Sequence, residues 1–141
     1  MSYEDDDRDT YGMYKSDTGK GPGPELMGAH TLIGTDVYND KDEELGDIKE
    51  IMLDMRTGRV SYAVLAFGSF LGMGEKLFAV PWNALKLNTF NQHFILKIDK
   101  ERFKNAPGFD PDHWPDMASP AWIDKIHTYY GTQPYSDDPG I

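Results

Sequence analysis

Short strand-like runs separated by turns fill the chain from Leu32 to Ile98, and no amphipathic pattern of helix length interrupts them. Parallel strands need a long crossover connection, usually a helix, so this spacing argues against parallel β-α-β units. Several short strands at close spacing are typical of an antiparallel barrel or sandwich. We therefore predict an all-β fold, a small antiparallel barrel of about six strands, with a C-terminal strap and a short helix outside it.

One predicted strand, "ELGDIKEIMLD", does not alternate strictly. Ile48 lies on one parity, whereas Ile51 and Leu53 lie on the other. A strand of period two cannot bury all three on one face without an extra residue, so we predict a β-bulge near Lys49-Glu50. Such a bulge bends the sheet, as barrel closure requires.

Three further runs define the centre of the predicted barrel. "VSYAVLAF" is apolar on both parities, which predicts a central strand covered on both faces by the fold, or on one face by the fold and on the other by a partner. The turn "RTGR" precedes it, and Gly58 can take the positive φ that such a turn needs. "KLFAVPW" should end at Pro81, which has no N–H for the ladder. In "HFILKI" the residues Phe94, Leu96 and Ile98 share one face.

The glycines of "FGSFLGMGEKLFAVPW" raise the question of a phosphate-binding loop. Their order is G-x-x-x-G-x-G, whereas a dinucleotide fingerprint needs G-x-G-x-x-G before a helix, and a strand pattern follows here. Gly68, Gly72 and Gly74 are better explained as joints between two strands that permit unusual φ. Three apolar side chains in this loop need cover, from the barrel end, a partner or a second copy: Phe70, Leu71 and Met73.

The segment "SPAWIDKIHTYYG" predicts a helix. Ser119 is a good N-cap, Pro120 fits the first helical position, and Gly131 suits the C-terminal stop. One face, which should pack on the barrel or on another subunit, carries Trp122, Ile126 and Tyr130. Together with the apolar loop residues, these three form the predicted partner interface, and we expect a homodimer.

The chain is acidic, with a formal net charge of −10 and a pI near 4.7. Binding to nucleic acid or to an anionic membrane needs clustered Lys and Arg, so both are disfavoured. There are no cysteines, which excludes disulfides and thiolate sites. The acidic N-terminus has no signal-peptide pattern, and the longest apolar runs fall far below the ~20 residues of a membrane helix. We expect a cytoplasmic protein with no transmembrane segment.

The densest polar group lies in the strap: Asp110, Asp112, His113 and Asp116. Carboxylates with an imidazole are ligands for a divalent cation. An exposed turn also explains them, because Asp beside Pro is a common turn former, and we favour the turn. These four residues are therefore only candidate metal ligands.

The remaining histidines offer no catalytic arrangement. No nucleophile or paired carboxylate is placed by spacing around His30, His93 or His127. His127 lies off the apolar stripe of its helix, so we expect it to be solvated. The sequence therefore predicts no catalytic residue, no cofactor and no enzyme activity.

Several of these patterns resemble the PRC-barrel domain. They are the Gly46 that follows an acidic turn, the "I-x-x-I-x-L-D" strand, the "G-R-x-x-Y-A-V-L" strand and the "F-A-V-P-W-x-A-L" run, within about Leu32 to Asp99. The family includes the cytoplasmic part of the photosynthetic reaction-centre H subunit and half of a ribosome maturation factor. The resemblance implies a stand-alone bacterial PRC-barrel scaffold with no catalytic residue set, and it leaves association with a membrane complex open.

The chain is accordingly divided into an acidic solvated tail (1–28), a barrel (29–104), a strap with a helix (105–131) and a second tail (132–141). The expected function is a non-catalytic adaptor or scaffold that acts through protein–protein contacts. The alternative is binding of a small ligand or a divalent metal at the barrel mouth or at the acidic strap.

Overall fold

The computed structural model describes residues 26–67, 75–88 and 90–134. In these ranges the elements follow the order α1 (Ala29–Leu32), β1 (Asp36–Tyr38), β2 (Glu44–Asp54), β3 (Arg59–Phe67), β4 (Lys76–Pro81), a 3-10 turn (Trp82–Ala84), β5 (Leu85–Asn88), β6 (His93–Leu96), α2 (Lys100–Lys104) and α3 (Pro120–Tyr130). The strands form one curled sheet in the order β4-β3-β2-β1-β6-β5. The fold is mostly β with short helices, so the prediction of an all-β fold is confirmed in part.

The sheet is mixed, which corrects the prediction of an antiparallel barrel. β1 and β6 run parallel, with Val37 opposite Phe94 and Tyr38 opposite Ile95, whereas the other neighbouring strands are antiparallel. These pairings require β4 and β5 to run in the same direction. The 3-10 turn between them therefore bends the chain from one sheet edge to the other without reversing it, and β6 reaches β1 in parallel.

Strand β2 contains the predicted bulge. Its register with β3 shifts between Ile48 and Glu50, and it shifts again between Met52 and Leu53. Each irregularity changes which side chains face inward and adds bend to the strand. The sheet can therefore curl around the core, and the prediction made from the broken alternation is confirmed.

The central strand β3 is buried on both faces, as predicted. All five residues from Tyr62 to Ala66 are buried. Ala63 and Leu65 belong to the inner core, which the curled sheet encloses. The opposite face packs against α3 and the strap (residues 105–119), through Ile126, Met117 and Phe109.

The structure also has the predicted turn at Gly58, the predicted end of β4 and the predicted ends of the C-terminal helix. Gly58 has φ +78° and donates its N–H to the Asp54 carbonyl at 2.7 Å. β4 ends at Pro81. Helix α3 begins with Pro120 after Ser119, whose side chain makes no capping hydrogen bond, and it ends at Gly131, which is left-handed with φ +70°.

The strap covers the outer edge of β4. Leu77 and Phe109 exchange two backbone hydrogen bonds, both of 2.9 Å, and Phe109 in turn packs on Trp114 with 5.0 Å between ring centroids. An unpaired strand edge is a template for unwanted pairing, so the strap protects this one. None of the helices in the described ranges has the length and apolar character that crossing a membrane requires.

Candidate interaction surface

Two large apolar side chains are exposed where β2 meets the turn into β3. Leu53 is 51% exposed and Met55 is 85% exposed. The second irregularity of β2 lies just before Leu53, so this end of the strand does not continue the alternation that buries Ile48. The hairpin end therefore presents apolar surface to its surroundings.

A groove of about 690 Å³ runs from this hairpin end to the strap and α3. We name it the Met groove and define it by five of the apolar residues that line it: Met52, Leu53, Met55, Met117 and Ile123. Its volume lies within the range of protein binding clefts, about 300–1,000 Å³. β2, the strap and α3 thus bring together side chains that are far apart in the sequence.

Charges stand at the rim of the Met groove. The Asp54 carboxylate accepts hydrogen bonds from the Arg56 backbone N–H at 2.9 Å and from its guanidinium at 3.2 Å. Asp124 is exposed on α3 and also borders the groove. With Asp54 already paired to Arg56, the Asp124 carboxylate gives this rim a negative charge.

His127 lies beside the groove and corrects an expectation, because it is buried rather than solvated. Its side chain is 5% exposed, its Nδ1 is hydrogen-bonded to the Thr132 hydroxyl at 2.8 Å, and its ring meets Tyr62 edge-on. Burial lowers the pKa of the imidazole, and the negative charge of Asp124 opposes part of this effect. The neutral form therefore fits the fold best.

This burial predicts a pH dependence of stability. The pKa of His127 is lower in the folded state than its usual value of about 6.5, so the unfolded chain takes up the proton first as the pH falls. The stability that neutral His127 contributes is complete above about pH 6.5 and is lost below it, until the folded-state pKa is passed. Urea unfolding from pH 7.5 to pH 5 should therefore show a smaller loss of stability for His127→Gln than for the wild type.

The matched control is His113→Gln, because His113 is exposed in the strap. This variant should keep the pH dependence of the wild type. An unchanged pH dependence in His127→Gln would contradict the assignment.

A second cleft, the barrel mouth, opens on the other side of Leu53. Its volume is about 340 Å³. All its lining residues are apolar: Met27, Ala29, Leu32, Ile51, Leu53, Val60, Trp82, Leu85, Leu87 and Phe94. Leu53 borders both clefts, so the Met groove and the barrel mouth meet at this side chain.

The predicted partner interface divides into two parts. Phe70, Leu71 and Met73 lie outside the described residues. On α3, Ile126 is 1% exposed and packs with Tyr62 and Ala79 of the sheet. The other two α3 residues of that interface, Trp122 and Tyr130, are partly buried against the same cluster. Self-association through these six residues stays a prediction.

The acidic strap residues lie on exposed turns. The backbone N–H of His113 donates to the Asp110 carbonyl at 3.0 Å, and the Asp116 carboxylate accepts the Ala118 N–H at 3.0 Å. Asp112 is exposed. Within the described ranges, no three His, Asp or Glu side chains are grouped as metal ligands.

Sequence reasoning missed the residues of the Met groove. The alternation of β2 predicts that Leu53 is buried on the same face as Ile51, and no pattern in the sequence marks Met55 or Met117 as part of a site. A weak signal existed, since two of the methionines lie at one strand end and a third lies in a Pro-rich strap. Nothing in the local pattern, however, places the strap against that strand end.

Comparison with known proteins gives one finding about the family. The family model of the PRC-barrel domain matches residues 24–103. No curated protein matches the chain. The matched segment contains α1, all six described strands and most of α2. On the strength of that match, which includes the whole curled sheet, the chain belongs to the PRC-barrel family.

Proposed function

We propose that this protein is a non-catalytic adaptor that holds an apolar segment of a partner protein in the Met groove. The observation that carries the proposal is the exposure of Leu53 and Met55 beside a cleft of about 690 Å³. Large apolar side chains grouped at a cleft are typical of sites where another molecule packs. The expected place of action is the cytoplasm.

The methionines fit this role. Met side chains are unbranched and adaptable, so they repack around partners of different shape. Three of the five apolar residues that define the groove are methionines: Met52, Met55 and Met117. A surface of this kind favours contact with an apolar peptide over the fixed geometry that catalysis requires.

The charge at the rim selects among apolar partners. Asp124 is exposed at the groove, and the chain as a whole carries a net charge of −10. Opposite charge at the rim speeds association and suppresses wrong partners more than it adds affinity. The segment that fits is therefore apolar in the middle and basic at its flanks.

Three synthetic peptides of equal length test the proposal. One combines leucine and lysine, one combines serine and lysine, and one combines leucine and glutamate. In an NMR titration of the full chain, only the Leu–Lys peptide should give saturable shifts centred on Met55, Met117 and Ile123. Burying a Met side chain is worth about 1.5–3 kcal/mol, so Met55→Ser should weaken binding by about tenfold or more.

Phe90→Ser is the matched control, because Phe90 is 92% exposed in the β5–β6 turn and is not a lining residue of the groove. This variant should bind the Leu–Lys peptide like the wild type. If the Ser–Lys peptide bound as tightly as the Leu–Lys peptide, charge alone would explain the binding. Equal affinity of Met55→Ser and the wild type would contradict the proposal.

The barrel mouth supports a second candidate function, the binding of a small apolar ligand. The observation in its favour is the uniformly apolar lining of a cleft of about 340 Å³. Leu87 lines this cleft but not the Met groove. The barrel mouth would be the binding site if the NMR shift changes caused by the Leu–Lys peptide centre on Leu87 and Val60. In that case Leu87→Ser, rather than Met55→Ser, should weaken binding.

A further inference from the structure

The densest run of positive charge in the described part of this acidic protein lies on α2 and just before it. Lys97, Lys100, Arg102 and Lys104 fall within eight positions, on α2 and just before it, beside the two acids Asp99 and Glu101. Phe103 of α2 is buried, whereas Lys97, Arg102 and Lys104 are exposed. Helix α2 thus forms a cationic ridge in a chain whose net charge is −10.

A cleft of about 320 Å³ lies next to this ridge, between the end of β6, α2 and the end of α3. We name it the cationic cleft, after Lys41, Lys97 and Arg102 in its lining, which also includes Asp40 and Asp99. Lys41 is already paired with Asp99 at 3.1 Å. Of the other charged residues in the lining, Lys97 and Arg102 are positive and Asp40 is negative, so the cleft has a net positive charge.

The arginine of the cleft is held in place. The Arg102 guanidinium lies over the Tyr129 ring, 4.4 Å from its centroid, and donates to the Tyr129 carbonyl at 2.8 Å. Its planar fork carries five donors, so further donors remain for a ligand. The Tyr130 hydroxyl, also in the lining, has no hydrogen-bond partner within the described residues. Carboxylates match this set of donors.

We propose that the acidic segment Glu4–Asp9 of the same chain binds the cationic cleft and the ridge beside it. The segment "EDDDRD" carries five carboxylates and one arginine in six positions. This density of negative charge complements the exposed Lys97 and Arg102 of the cleft.

The chain is long enough for this contact. Asp9 precedes Leu26 by 17 positions, and an extended linker of that length spans at most about 58 Å. A domain of about 100 residues has a radius of gyration of only about 13 Å. The segment can therefore reach any face of the barrel, and tethering gives it an effective concentration in the range of about 1 mM.

Zero-length carbodiimide cross-linking tests the proposal on the full chain, because it joins a carboxylate to a lysine amine only where the two touch. Mass spectrometry should find residues 4–9 joined to Lys97, Lys100 or Lys104, and not to Lys86 or Lys125 on other faces. If each exposed pair contributes about a twofold preference, Asp5→Asn, Asp6→Asn and Asp7→Asn together should reduce these cross-links about eightfold. At about 1 M salt, where the Debye length is about 3 Å, they should largely disappear.

Two controls separate the outcomes. The variant with Asp137→Asn and Asp138→Asn should cross-link like the wild type, because it removes acids outside the segment. A mixture of isotopically light and heavy protein should give only light–light and heavy–heavy products. Mixed products would show that the segment binds a second copy, and cross-links spread evenly over all lysines would show that it has no site. Either result overturns the proposal.

Discussion

Gly46→Ala should unfold the protein or leave it barely folded. A Cβ at this position would lie 2.2 Å from the Ala66 carbonyl oxygen and 3.2 Å from its carbonyl carbon. Both are backbone atoms of β3, the central strand, so no side chain can move aside to make room. We expect a loss of at least about 4 kcal/mol, which approaches the whole stability of a domain at the lower end of the usual range of about 5–15 kcal/mol.

The backbone conformation adds to this clash. Gly46 has φ +142°, a value that residues with a Cβ rarely adopt. It pairs with Val37 of β1, and Asp47 beside it pairs with Ala66 of β3. A shift of β2 to relieve the clash would therefore disturb both of its neighbours.

Gly58→Ala is the matched control. Gly58 also has positive φ, +78°, but a Cβ there would meet nothing within 4 Å. Only the conformational cost remains, about 1–2 kcal/mol. Urea unfolding followed by circular dichroism measures both variants. Similar losses for the two would show that the contact with Ala66 is relieved at little cost and that our explanation is wrong.

The parts of the fold that could be predicted are those whose signal is local. Burial on both faces makes β3 apolar at every position from Tyr62 to Ala66, and the bulge of β2 appears as the changed parity between Ile48 and Ile51. Caps and turns are local as well, which is why Pro120 and Gly131 correctly mark the ends of α3.

The parallel pairing of β1 with β6 could not be predicted in the same way. It depends on the direction of β5, which the 3-10 turn Trp82–Ala84 sets by bending the chain without reversing it. The sequence marks the end of β4 at Pro81 but carries no signal for the direction in which the next strand leaves. The expectation of an antiparallel barrel is therefore wrong for this pairing.

The candidate site was hidden for a related reason. Met117 reaches the end of β2 only because the strap pairs along the edge of β4, through Phe109 and Leu77. His127 is off the apolar stripe of α3, yet Tyr62 and Thr132 cover it. Both features arise from contacts between segments far apart in sequence, and periodicity within one helix or strand does not report them.

Phe103→Ala should cost about 3–5 kcal/mol, the usual range for removing a fully buried Phe ring. Phe103 is 0% exposed. Its ring lies 4.7 Å from that of Phe78 and meets that of Phe67 edge-on at 5.9 Å, centroid to centroid. Through this side chain α2 closes the inner core, so the cavity left by alanine would open between α2 and two strands of the sheet.

The comparison with Phe103→Leu and Phe90→Ala isolates this effect. Leucine keeps most of the apolar volume and should lose clearly less stability than alanine. Phe90 is 92% exposed, so its replacement by alanine should change the free energy of unfolding by no more than about 0.5 kcal/mol. Denaturant midpoints with unchanged m-values would assign the differences to stability itself. If Phe103→Ala lost no more free energy of unfolding than Phe90→Ala, α2 would lie outside the cooperative core. The cooperatively folded part of the barrel would then end at β6.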